Sequence, residues 1–260
     1  MTPIFTGDEI EMIPDFRIEH VSKEWKQAQE EYIKYHEFYK SAGTTNHFKH
    51  EIFSVKEIYQ HEFHLKGKIL DVGGAQGKLR HFLKGDELNN YVCLDPFPEA
   101  LEGLGNTPGL FSSYKNLNTP MQFVAAYAEH LPFKDNIFDT IHMRSVLDHF
   151  ADAKAALLES YRVLKPTGYV LIGLNIKHGV WLQNKPKLSL FARLRRKIYN
   201  ILFDQGKPPA IRYLTQAEDH VKDWSREELI TLVQSCGFKV IKEHRQKPPF
   251  GHCLYLLIQK

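Results

Sequence analysis

Lys68-Ile69-Leu70-Asp71-Val72-Gly73-Gly74-Ala75-Gln76-Gly77 is the stretch on which the fold turns. An apolar run of β character enters a glycine-rich turn, and a helical pattern follows over Lys78–Leu83. Glycines at such a turn let backbone N–H groups approach a ligand closely, at the positive end of the next helix. Eighteen residues beyond Gly77 comes Asp95, closing a second strand-like run, Tyr91-Val92-Cys93-Leu94-Asp95-Pro96. An acid at that place can accept both hydroxyls of a ribose, so the pair points to a nucleoside cofactor. The plainer reading of these two pieces alone is a tight structural turn followed by a surface acid. The dinucleotide fingerprint G-x-G-x-x-G is not met, because Ala75 and Lys78 stand where it needs glycines. That disfavours a nicotinamide oxidoreductase.

Working outward, short apolar runs alternate with helical stretches from Lys66 to Lys177. The expected strands are Lys68–Val72, Tyr91–Leu94, Gln122–Ala126, Phe138–Met143 and Tyr169–Ile176, with helices at Lys78–Leu83, Pro98–Leu104 and Asp152–Leu164. In the last helix Ala155, Leu158, Tyr161 and Val163–Leu164 are expected on the packing face, and Lys165-Pro166-Thr167-Gly168 is expected to stop it. Such alternation argues for a parallel sheet with helices on both faces. Near the end, Ser225 and Glu228 have capping-box spacing and open a helix to about Cys236. The runs Phe238–Arg245 and His252–Gln259 are joined by six residues, too few for a parallel crossover, so they are expected as antiparallel neighbours. Before the sheet, residues 1–64 read as an N-terminal helical cap: one helix from Ser22 to about Lys40, bearing Trp25, Tyr32, Tyr35 and Tyr39, then a break at 41–46 and a short helix around Glu51–His61. Residues 65–260 read as the main domain.

Composition excludes several classes. The chain has 260 residues, 43% hydrophobic and 25% charged, the proportions of a globular protein. A net charge of +3 gives no argument for nucleic acid as a partner. The longest apolar run, Tyr169–Ile176, falls far short of the roughly twenty residues a spanning helix needs. The acidic start has no basic or apolar leader pattern, and Cys93, Cys236 and Cys253 form no C-x-x-C pair, which fits free thiols and a cytoplasmic setting. The fourteen histidines give no spaced ligand set, so no metal site is expected.

Six segments in order resemble the class I S-adenosylmethionine (SAM) methyltransferases, most closely the type 11 or ubiquinone-methyltransferase-like subgroup. Ile69–Gly77 resembles the first motif and Asp95 the ribose acid. Ala128-Glu129-His130-Leu131-Pro132-Phe133 resembles the adenine-side segment, and Phe138–His142 the fourth strand. Val146-Leu147-Asp148-His149 resembles the turn after it, and Glu159–Gly168 the helix and turn before the fifth strand. The resemblance implies an α/β fold: a Rossmann-like seven-stranded sheet with its last strand antiparallel, carrying N-terminal helices and a helical lid insert. It implies SAM as cofactor, bound by Asp71, Gly73, Gly74, Ala75, Gly77, Asp95, Pro96, Ala128, Glu129 and Arg144. A branched side chain at Gly73 would then fill the space needed by the methionine part. Two positions depart from the pattern: Ala75 replaces the middle glycine, and Tyr127 replaces the acid before the Ala-Glu pair. These departures motivate the alternative function class, a non-catalytic SAM-fold binding protein.

Methyl transfer from a sulfonium is an in-line displacement, so the protein chiefly supplies alignment, with a base only where the nucleophile must lose a proton. The resemblance puts the ends of strands four and five beside the methyl, where the chain carries Arg144, Asp148, His149 and Asn175–His178. His149 is the first candidate for a base or substrate-orienting group, since imidazole titrates near neutrality. Asp148 is read as orienting it or binding substrate, Arg144 completes the catalytic set, and His142 is read as a packed or surface histidine. The acceptor is expected to be a small or lipid-like, anionic molecule. Residues 178–222 form an insert with nine Lys or Arg against three acids, and 187–203 read as an amphipathic helix. Three roles fit it: a lid, a peripheral membrane-surface helix, or a solvated face or subunit contact. RNA has no recognisable module to bind it here.

Overall fold

Seven strands are formed: β1 (Ile69–Val72), β2 (Tyr91–Leu94), β3 (Gln122–Val124), β4 (Phe138–Arg144), β5 (Leu164–Asn175), β6 (Lys239–Arg245) and β7 (Cys253–Gln259). They make one sheet in the order β3-β2-β1-β4-β5-β7-β6. The pairs among β1 to β5 are parallel, while β7 runs antiparallel to both β5 and β6. The terminal hairpin is therefore as expected from its short link. The computed structural model describes residues 44–97, 107, 109–176, 222–246 and 253–260. The helices expected at 22–40 and 98–104, and the basic insert up to residue 221, lie outside the described residues. Among the described residues no helix is long and apolar enough to cross a membrane.

Three helices of more than two turns are described: α1 (Thr45–Glu57), α2 (Ala153–Val163) and α3 (Arg226–Ser235). A sheet covered on both faces needs apolar residues at successive positions, and β1 and β2 are buried at every residue. Alternate side chains then sort into two cores. Leu70, Val72, Val92, Leu94, Ile141 and Met143 pack with Ala156, Leu157, Leu229 and Val233 of α2 and α3. Ile69, Tyr91, Cys93 and Leu171 pack with Val55, Ile58 and Tyr59, at the end of α1 and just after it. At the edge, β6 carries a register shift between Val240 and Lys242, and its exposed lysines discourage pairing with another strand.

Three local expectations are corrected. The helix expected around Glu51–His61 begins at Thr45, because Thr44, inside the expected break, caps it by accepting from His47 N. It continues past Glu57 into a wide turn over Ile58–Glu62, closed by Phe63 N donating to Ile58 O at 2.8 Å. On α2 the packed stripe is Ala156, Leu157, Ser160 and Val163, and Leu158 is 46% exposed. Steps of three from Ala155 drift off a 3.6-residue period, and the buried face includes Ser160, whose hydroxyl satisfies itself on Ala156 O at 2.7 Å. Lys165–Gly168 belongs to β5, which starts directly at Leu164. The capping box holds: Ser225 and Glu228 bond reciprocally at the start of α3.

Candidate functional site

The strand order reverses beside β1, whose neighbours β2 and β4 continue in opposite directions along the sheet. Ligands of open α/β sheets bind outside the carboxyl ends of the strands at such a point. Here β1 runs into the turn Gly73–Gly77. Gly73 N and Gly74 N both donate to Leu94 O, at 2.7 and 3.3 Å, and Gly77 N donates to Gly74 O at 2.7 Å. Gly73, Ala75 and Gly77 all have positive φ, at 67°, 47° and 69°. Asp95, at the tip of β2, reaches across. Its Oδ2 accepts from Ala75 N at 3.0 Å and its Oδ1 from Phe97 N at 2.9 Å.

The glycines answer to the chain itself. A Cβ on Gly73 would overlap Val146, and one on Gly74 would sit 2.7 Å from Cys93 Sγ and 2.8 Å from Asp71 Oδ2. At Gly73 the close neighbour is Val146, in the turn after β4, so the chain itself requires glycine there. Asp71 stands where the turn begins, at the end of β1 before Val72. It is buried beneath the turn, where Oδ1 meets His142 Nδ1 at 2.7 Å and Oδ2 accepts from Tyr91 O–H at 2.5 Å. His142 Nε2 in turn meets Tyr59 O–H at 2.9 Å. His142 is a packed histidine, one of the two options read from the sequence.

Arg144 ends β4, partly buried, and its Nε donates to Tyr255 O–H of β7 at 3.2 Å. The adjacent turn carries Asp148 and His149. Asp148 is buried, His149 has a side chain 37% exposed, and Nε2 lies 3.8 Å from Asp148 Oδ1. That separation is longer than a hydrogen bond. From α1, Glu51 forms an ion pair with Lys78 at 3.3 Å, just after the glycine turn. Burial pushes the Glu51 carboxyl up, but Lys78, Arg144 and a Tyr114 hydrogen bond together hold it below its ordinary value. On the β3 side, Ala128 is buried and Glu129 accepts from Asp152 N at 3.3 Å, bracing the start of α2. Burial pushes the Glu129 carboxyl up, and its Oε2 has no hydrogen-bond partner among the described residues. Sequence reading missed Tyr59, Glu51 and Tyr255, which reach this region only through tertiary packing, and Lys78, which follows the turn directly.

The donor set fits a nucleoside cofactor. Each Asp95 oxygen takes one of the two backbone N–H groups named above, and a carboxylate oxygen accommodates more than one donor. Residues 70–172 match the family described as Methyltransferase domain, of the type 11 kind. A ubiquinone/menaquinone biosynthesis C-methyltransferase UbiE of Cupriavidus metallidurans is 30% identical over 196 residues, covering 74% of this chain and 76% of that protein. The chain belongs to the class I SAM-dependent methyltransferases. The UbiE of Rickettsia bellii is 28% identical over 199 residues, covering 73% of this chain and 77% of that protein. Among solved structures, the 1,6-didemethyltoxoflavin-N1-methyltransferase of Burkholderia thailandensis, with S-adenosylhomocysteine bound, shares the fold at a TM-score of 0.52 and 14% identity, over 96% of this chain and 93% of that one. This methyltransferase takes its methyl group from SAM.

Proposed function

We propose that this SAM-dependent methyltransferase acts on a small or lipid-like acceptor with a hydroxylated, quinol-type ring. SAM supplies an activated methyl group on a sulfonium. In this reading the turn Gly73–Gly77 and Asp95 hold its nucleoside part, with Pro96, Ala128 and Glu129 on the adenine side. Asp71 acts from below, by supporting the turn. The observation that carries the reading is the 3.0 Å bond from Ala75 N to Asp95 Oδ2, which makes one unit of the turn and the acid at the switch point. The quinol-type acceptor is supported by the relatives named for ubiquinone and menaquinone biosynthesis. Arg144, Asp148 and His149 stand at the end of β4 and in the turn after it, on the side assigned to the acceptor. Arg144 offers a cation to an anionic oxygen there, and the exposed imidazole of His149 orients the ring.

The test is anaerobic turnover of 1,4-dihydroxynaphthalene with methyl-labelled SAM, followed by mass spectrometry. A labelled, methylated product is expected. SAM binding without product from this compound or a panel of phenols, amines and thiols would favour the alternative, a non-catalytic binding protein, which Ala75 and Tyr127 motivate.

A further inference from the structure

The sheet face that carries Arg144 continues from β4 onto β5 and β7. Arg144 stands opposite Gly173, Gly173 opposite Tyr255 and, two residues further along β5, Asn175 opposite Cys253. Residues two apart on a strand share a face, so Arg144, Tyr255, Asn175 and Cys253 lie on one side of the sheet. Gly173 sets the geometry between them, because a Cβ there would sit 2.6 Å from Tyr255 Cε1. Without one, the Tyr255 ring lies across β5 and its hydroxyl accepts from Arg144 Nε at 3.2 Å. The two Nη groups of Arg144 have no acceptor among the described residues, and there the guanidinium forms no ion pair. Glu51, whose carboxyl feels Arg144, is paired with Lys78. Asn175, exposed at the tip of β5, accepts through Oδ1 from Cys253 Sγ at 3.2 Å. Burial pushes the Cys253 thiol up, so it stays protonated and donates. The Asn175 amide nitrogen is thereby turned from the thiol, with two N–H donors and no acceptor among the described residues.

We propose that Asn175 is a specificity-determining residue whose amide N–H groups join the Arg144 guanidinium in clamping a phenolate oxygen of the methyl acceptor; the acceptor's identity rests on the quinol reading above. The approach is open, since Asn175 is exposed and Arg144 keeps part of its surface uncovered. These two side chains offer donors alone. An oxygen with lone pairs and no proton satisfies them, whereas a neutral phenol must direct its O–H elsewhere. The cation favours the same choice, because an opposite charge nearby lowers the pKa of an acid by about 1–3 pH units. The clamp therefore activates the acceptor by holding it ionised. The phenol proton leaves to solvent, and the phenolate pair, acting through oxygen or the adjacent ring carbon, forms the bond to the methyl carbon. The methyl–sulfur bond breaks with its pair left on sulfur as a thioether. Where carbon is methylated, the ring C–H proton then leaves to solvent. Tyr255 and Cys253 are positioning residues: one aims the guanidinium and the other the amide.

The ionisable groups around the clamp are Glu51 of α1, Tyr59 just after it, Asp148 and His149 in the turn after β4, and Tyr255 and Cys253 of β7. The probe is 4-nitrophenol, which is yellow only as the phenolate, titrated with the full chain saturated with S-adenosylhomocysteine. Its apparent pKa should fall by about one pH unit on binding, a roughly tenfold preference for the phenolate. Asn175→Asp keeps an oxygen for the Cys253 thiol but replaces the N–H donors by a carboxylate, and it should abolish that fall. Asn175→Leu, neutral and of similar size, should lose about half of it, since Arg144 remains. Both variants should raise KM for anaerobic 1,4-dihydroxynaphthalene by about tenfold or more, the worth of a hydrogen bond to a charged group. S-adenosylhomocysteine affinity, measured by calorimetry, should stay within about twofold. A probe pKa unmoved by the unsubstituted protein, or a fall that survives both substitutions, overturns the clamp. Loss of cofactor affinity alongside the fall makes Asn175 a support for the fold and overturns it too. A probe held as phenolate while 1,4-dihydroxynaphthalene is not methylated overturns the quinol reading and upholds the clamp for another phenol.

Discussion

Ala75 N–H donates to Asp95 Oδ2 at 3.0 Å while Ala75 holds φ at +47°. The bond ties the loop after β1 to the tip of β2 and holds a non-glycine residue in a left-handed conformation, where its Cβ is crowded. Strain at such a turn persists when the surroundings over-determine it. Asp95 is the local cause here, and it is also the side chain assigned to the ribose.

Asp95→Ala should therefore act twice. S-adenosylhomocysteine affinity should fall by about 1–3 kcal/mol, as the ribose hydroxyls lose a charged acceptor. The loop should also exchange the Ala75 amide hydrogen faster, since its bond is gone. Calorimetry and hydrogen exchange read the two effects separately, and an unchanged affinity would place the ribose elsewhere.

Ala75→Gly should raise stability. Removing the left-handed penalty gains about 1–2 kcal/mol, and the greater freedom of glycine in the unfolded chain returns about 0.4–1 kcal/mol of it. The denaturation midpoint should move up, and cofactor affinity should be no weaker. A lowered midpoint would show that the Ala75 methyl packs favourably enough to offset its backbone.

Gly73→Val should prevent folding rather than remove cofactor binding from a folded protein. The new Cβ would overlap Val146, and the backbone has φ +67°. Overpacking and left-handed strain together cost about 3 kcal/mol or more. A variant with a full circular-dichroism signal and normal melting would refute the packing account.

The sheet was legible because a parallel sheet covered on both faces writes its strands as apolar runs, as in Ile69–Val72 and Tyr91–Leu94. Asp95 was legible because the end of a strand fixes which acid faces the turn. The start of β5 was not, since Lys165-Pro166-Thr167-Gly168 carries turn residues within a strand. Nor was the Tyr59–His142–Asp71 chain. It depends on the register that sets Asp71 opposite His142 across β1 and β4, and on α1 delivering Tyr59 to them. Neither strand's own pattern contains that pairing. The buried face of α2 was hidden by Ser160, a polar residue satisfied within its own helix.

Glu51 should leave a mark on the acid limb of stability. Burial works against its charge, yet Lys78, Arg144 and the Tyr114 hydrogen bond outweigh it, so its folded pKa lies below 4.5. For a carboxyl depressed by folding, the stabilisation is complete above the unfolded pKa. It is lost as pH falls through the folded value. Stability of the native chain should thus fall more steeply below about pH 4.5 than that of Glu51→Gln, which has no carboxyl to protonate. Parallel denaturation curves for the two proteins across that range would remove Glu51 from the account.

Arg162, near the end of α2, should prove the main clamp on the adenine side. Its Nη1 donates to Phe133 O at 2.6 Å and Asp135 Oδ1 at 2.9 Å, and its Nη2 to Leu131 O at 2.9 Å and Glu159 Oε2 at 2.7 Å. Nε adds Glu159 Oε1 at 2.8 Å, and Glu159 Oε2 also accepts from Leu131 N at 2.9 Å. One guanidinium fork thus fastens the loop after Ala128-Glu129 to α2, a geometry Lys could not reproduce. The Glu159 hydrogen bonds are the largest cause holding its pKa above the usual arginine value. Arg162→Met keeps the stem but releases the Leu131 and Phe133 carbonyls. The site is partly solvated, so the loss should be about 1–3 kcal/mol rather than that of a fully buried pair. S-adenosylhomocysteine should bind more weakly as well, because Ala128 and Glu129 lose their anchor. In a double-mutant cycle Glu159→Gln should cost much less in the Arg162→Met background than alone, since the two act as one unit. Full additivity, or an unchanged cofactor affinity in Arg162→Met, would show that this clamp serves the helix and not the site.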